Sequence, residues 1–110
     1  RALMPSPRLL VMDEACSGLD FLAKEALLDS IAQLADDPAG PTMLFVTHHS
    51  EEILPVFNKT LLLRRGQVFA QGNSQDVLTS AALSDFFETP VQVRWQNQRP
   101  WVSLQGYKIR

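Results

Sequence analysis

Leu9-Leu10-Val11-Met12 is an unbroken apolar run that ends in two adjacent carboxylates, Asp13 and Glu14. No other stretch restricts the fold of this chain as tightly. A short run of this kind reads as a strand buried on both faces, as in a parallel sheet covered by helices. Carboxylates do not belong inside such a strand. They therefore sit at its carboxyl end, the edge where open α/β sheets bind ligands. Thr42 to Thr47 forms a second apolar strand. Phe21 to Ala35 between them is an amphipathic helix, with Leu27, Ile31, Leu34 and Ala35 on one face and Lys24, Asp29, Gln33 and Asp36 placed elsewhere. Strand, helix, strand is a βαβ unit with a right-handed crossover. If the strands are parallel neighbours, their carboxyl ends meet, bringing Asp13-Glu14 beside Thr47-His48.

The remaining segments are shorter. Arg1 to Met4 reads as the tail of a helix stopped by Pro5-Ser6-Pro7. Cys16 to Asp20 is a tight loop, and Asp37 to Pro41 a turn-rich break. Ser50 can cap a short helix that opens with Glu51 and Glu52 and ends at Pro55. Lys59 to Arg64 and Gln67 to Gln71 form a hairpin around Gly66. Asn73 to Phe87 reads as two short helices capped at Ser74 and Ser80. Val91 to Trp95 and Trp101 to Leu104 flank Gln96 to Pro100 as a final hairpin, with Trp95 and Trp101 expected to pack across it. The fold class expected is α/β: a partial parallel sheet with flanking helices, followed by β-hairpins and short helices.

At the shared strand edge, Asp13 can serve Mg²⁺, which prefers oxygen ligands and takes one or two carboxylates plus phosphates. Glu14 is a candidate general base toward an attacking water. His48 can donate to a terminal phosphate oxygen. Each has a plainer reading as well, as a turn cap, a solvated glutamate and a strand-end histidine. Asp20 reads as the N-cap of the helix after it, and Ser17 and Gly18 as turn-shaping residues. His49 points away from His48 and is structural or exposed, so no histidine-pair metal site is expected.

Taken together, these segments resemble the C-terminal part of an ATP-binding cassette (ABC) transporter ATPase domain, of the P-loop NTPase type. Arg1 to Glu14 resembles the end of the helix after its signature motif followed by its Walker B strand, Ser17-Gly18-Leu19-Asp20 its D-loop, and Phe45 to Ile53 its switch-histidine segment. Leu61 to Gly72 resembles the strand pair that follows, and Asp76-Val77-Leu78 the start of the terminal helices. The resemblance covers residues 1–88, leaving 89–110 as a C-terminal extension. It implies that Asp13 positions Mg²⁺, through water, that Glu14 polarises the hydrolytic water, and that His48 contacts the γ-phosphate of ATP. Ser17, Gly18 and Asp20 would lie at the interface of a head-to-tail dimer with a second ATPase domain. Transmembrane transporter subunits are the further implied partners, at the cytoplasmic face of the membrane. Cys16 and Phe21 depart from the residues usual around the D-loop.

The family's phosphate loop, Gly-x-x-x-x-Gly-Lys-[Ser/Thr], does not occur; the five glycines stand at 18, 40, 66, 72 and 106. Its signature motif is likewise missing. With a start at Arg1 rather than Met, these gaps lead us to expect a piece of a longer ATPase whose own N-terminal part is a required partner, inactive alone. An interaction module without ATP turnover is the alternative, and a Mg²⁺-dependent phosphatase-like enzyme a more remote one. A net charge of −2 gives no support to nucleic-acid binding. The single cysteine excludes an intrachain disulfide and suits a reducing compartment. No apolar run approaches a membrane span and no signal peptide is evident. A partial sheet should also leave apolar surface bare around Leu9–Met12 and Met43–Val46.

Overall fold

The computed structural model describes residues 8–106, so the helix tail expected at Arg1–Met4 lies outside the described residues. The chain divides into two compact units, one ending at Glu52 and one beginning at Ile53.

The first unit is the βαβ element. Strand β1 (Leu9–Asp13) pairs in parallel with β2 (Thr42–Val46), with Leu9 opposite Thr42 and Asp13 opposite Val46. Helix α1 (Phe21–Asp36) connects them. Its start follows from Asp20, whose Oδ1 accepts the Ala23 amide at 2.9 Å. Its interior lacks proline and glycine. It stops at Asp37, because the residue before Pro38 is disfavoured in helical backbone. The Asp37 side chain takes the Ala39 amide at 2.9 Å. A Cβ on Gly40 would come within 2.6 Å of the Leu34 carbonyl oxygen, so the turn accepts glycine there.

Leu28 and Ile31 are the buried residues of α1. Each contributes on the order of 2 kcal/mol by leaving water. The expected face was centred differently: Leu34 is exposed, whereas Lys24 is half-buried. Residues 24, 28, 31 and 35 recur at helical spacing, and the lysine stem lies on the same stripe as the apolar side chains. The two strands alternate exposed and half-buried along their length. The expectation of burial on both faces is not met: Val11 is 53% exposed and its partner Leu44 50%. Leu9 and Val46 are exposed on that same face.

The second unit contains two hairpins and two short helices. β3 (Lys59–Arg64) and β4 (Gln67–Asn73) are antiparallel, turning at Arg65 and Gly66, both at positive φ. The register shifts between Leu62 and Leu63, a bulge that leaves Phe69 extra on β4. Helices α2 (Ser74–Val77) and α3 (Ser80–Phe87) follow. Their N-cap positions are Asn73 and Thr79, one residue before the caps expected, and Thr79 accepts the Ala82 amide at 3.1 Å. Arg64 Nη1 closes α3 by donating to the carbonyls of Asp85 and Phe86 at 3.0 and 3.2 Å. β5 (Val91–Gln96) and β6 (Arg99–Leu104) turn tightly at Asn97 and Gln98, both left-handed. Trp95 faces Pro100 and Trp101 faces Arg94 across this hairpin, so the tryptophans occupy opposite faces and do not pair. The core of this unit is Leu78, Leu83 and Val91, with Ile53, Leu62, Phe86, Val93 and Val102 packed on it.

Candidate active site

The parallel register brings the strand ends of the first unit level. β1 delivers Asp13, then Glu14; β2 is followed by Thr47 and His48. The Glu14 amide extends the ladder by one bond, donating to the Val46 carbonyl at 2.9 Å. At that point the backbone leaves the strand, with Glu14 at φ 54. A left-handed glutamate costs on the order of 1 kcal/mol, and such torsions concentrate at functional sites.

Glu14 and His48 meet across this edge: His48 Nδ1 lies 2.5 Å from Glu14 Oε1. The histidine ring is 86% exposed, and the glutamate side chain half-buried. Asp13 is exposed on the face shared with Leu9 and Val11. Ser17 donates its amide to the Glu14 carbonyl at 3.1 Å, and Gly18 takes φ 80 in the same loop. Ser17, Gly18 and Asp20 are all exposed. Asp20 also serves α1 as its cap, so a structural role accompanies any interface role. His49 donates its amide to Thr47 Oγ1 at 3.0 Å, and its Nδ1 stands 3.9 Å from Glu51.

A layer behind these residues was missed in the sequence. Glu52 is 2% exposed and belongs to a single 3-10 turn, Ser50–Glu52, in place of the short helix expected from Ser50. Thr47 Oγ1 donates to Glu52 Oε1 at 2.6 Å, and Lys24 Nζ pairs with Glu52 Oε2 at 3.1 Å and with Glu51 Oε2 at 3.4 Å. Burial opposes the charge on Lys24, but the hydrogen bonds and negative charges of Glu52 and Glu51 together outweigh it and raise the ammonium pKa. The lysine's place on the apolar stripe of α1 was the available signal.

The donor set suits a hard cation in kind, since Asp13 and Glu14 supply carboxylate oxygen. Among the described residues no group of three histidine, cysteine or acidic side chains converges on a metal position. No helix is long and apolar enough to cross a membrane among the described residues.

The parallel strand pair, with Glu14 set against His48 at its carboxyl edge, places the chain in the α/β class. Comparison with known proteins narrows that class. The chain is homologous over nearly its whole length to the C-terminal part of ABC transporter ATP-binding proteins. The uncharacterized ABC transporter ATP-binding protein YlmA of Bacillus subtilis (strain 168) is 52% identical over 103 residues, 94% of this chain and 39% of that protein. A putative ABC transporter ATP-binding protein of Streptococcus mutans is 45% identical over 84% of this chain and 36% of its own length. The molybdenum import ATP-binding protein ModC 1 of Azotobacter vinelandii is 40% identical over 79% of this chain and 24% of its own. The chain thus spans well under half the length of these relatives. No family model matches. Among solved structures, one described as an inward-facing conformation of a putative metal-chelate type ABC transporter superimposes with a TM-score of 0.68 at 27% identity, over 86% of this chain and 38% of that one.

Proposed function

We propose that these residues form the hydrolytic edge of an ABC-type ATPase that works within a longer ATP-binding protein. The observation that carries this reading is the contact between Glu14 and His48 across the ends of two parallel strands. Glu14 acts as the base: its carboxylate accepts a proton from the water that attacks the terminal phosphorus. With Nδ1 of His48 turned to Glu14, Nε2 is the ring atom left to face a γ-phosphate oxygen. Asp13 would hold Mg²⁺, through water, for the phosphates of ATP. When bound, that ion neutralises developing phosphate charge.

Ser17, Gly18 and Asp20 are assigned to a head-to-tail interface with a second ATPase domain, and membrane-embedded transporter subunits to the energy-using side, at the cytoplasmic face. Residues 89–110 are read as an extension of the ATPase portion 1–88, anchored on α3 through Val91. The 110 residues alone turn over no ATP, because they contain no loop to hold the phosphates.

The test is Glu14→Gln in the complete ATP-binding protein. ATP affinity should stay within a few-fold while turnover falls by about 100-fold or more, the range for a lost general base. Unchanged turnover would remove Glu14 from this role and the reading with it.

A further inference from the structure

The histidine of the proposed site is aimed by buried groups that touch no reacting atom. His48 has an exposed ring, so packing around the ring does not fix its direction. Its backbone is fixed instead. On one side Thr47 donates its hydroxyl to Glu52 at 2.6 Å; on the other the His49 amide donates back to that same hydroxyl at 3.0 Å. The Glu52 amide closes the turn on the His49 carbonyl at 3.0 Å. Glu52 is 2% exposed, and a carboxylate so buried is stable as a charge only when paired and hydrogen-bonded. Lys24 supplies that pairing at 3.1 Å, from a helix that begins at the Asp20 cap.

We infer that Lys24 and Glu52 are positioning residues that hold His48 against Glu14. This rests on the ATPase reading above. Lys24 neutralises Glu52, Glu52 orients Thr47, and Thr47 sets the turn from which His48 projects. Without the lysine, Glu52 is left as an uncompensated buried charge that turns toward water, and the Thr47 bond is lost. His48 then spends less time at Glu14, although nothing that binds nucleotide has been removed.

Lys24→Met, Lys24→Arg, Glu52→Gln and Thr47→Val in the complete ATP-binding protein test this, with kcat and KM for ATP measured alongside Glu14→Gln. Lys24→Met and Glu52→Gln should lower kcat by about tenfold or more with KM within about threefold, since the loss falls on the chemical step. Lys24→Arg should recover kcat to within about threefold of the parent, because it restores the charge. Thr47→Val deletes one hydroxyl at nearly constant shape, and it decides the matter if Lys24→Met does not fold. It should show the same kcat-selective loss. Parental kcat in Glu52→Gln and Thr47→Val would overturn the positioning role, as would losses shared equally between kcat and 1/KM. If those variants are parental while Glu14→Gln is dead, the ATPase reading stands and only the positioning role falls. If Glu14→Gln itself keeps full turnover, both fall.

Discussion

Cys16 sits two residues beyond Glu14 and is 5% exposed. Burial first, and then the negative charge of Glu52, push its thiol pKa up, while Lys24 pulls the other way. A raised pKa leaves less thiolate at every pH below it, and the thiolate is the species that reacts. Iodoacetamide at about pH 8 should therefore modify folded Cys16 at least about tenfold more slowly than the same residue in urea, by mass spectrometry. Equal rates would contradict its burial. At this scale the sequence was readable where chemistry and strand ends coincide. Asp13, Glu14 and His48 stand out because an apolar run cannot contain them. Lys24 did not stand out, because counting only apolar side chains sends every lysine to solvent, although its spacing to Leu28 and Ile31 puts it on their stripe. Glu52 was hidden for the converse reason: an acid in a first turn already has a satisfying explanation in the helix dipole, and nothing local announces a buried partner from another element.

At the scale of elements, α1 depends on its first residue. Asp20→Ala should destabilise the 110-residue chain by about 1 kcal/mol in urea unfolding, with Asp20→Asn close to the parent, because asparagine caps as well as aspartate. No loss in Asp20→Ala would mean that the Ala23 bond does not hold the helix start. The βαβ order, both hairpins and the pair of short helices could be read from apolar runs, glycines and prolines. The errors lay where neighbouring residues compete for one job. Asn73 beside Ser74, and Thr79 beside Ser80, offer two caps each, and propensity does not separate them. The last turn was drawn as Gln96–Pro100, yet Asn97 and Gln98 alone take left-handed backbone. That tightening pairs Trp95 with Pro100 and sends Trp101 to the other face, since a strand changes face at every residue.

Among the described residues, the βαβ unit carries an unbalanced surface. Leu28 and Ile31 of α1 are buried, whereas Leu9, Val11, Leu44 and Val46 present an exposed apolar face on the strand pair. Contiguous apolar patches of this kind drive association. The 110-residue chain should show concentration-dependent self-association in sedimentation velocity, and Val11→Lys with Leu44→Lys should shift it toward monomer. A monodisperse parent would refute this. The sequence already pointed to bare apolar surface on these two runs, although it did not show which alternate residues carry it, because burial on both sides is a property of the surrounding layers rather than of the run itself. The imbalance also has a meaning in time. Contacts close in sequence form early, and those between distant segments later. The helix-lined side of the βαβ unit is completed from within a few dozen residues, while the opposite side waits for a covering surface to arrive. In that interval a nascent copy is most open to chaperone capture and to misassembly.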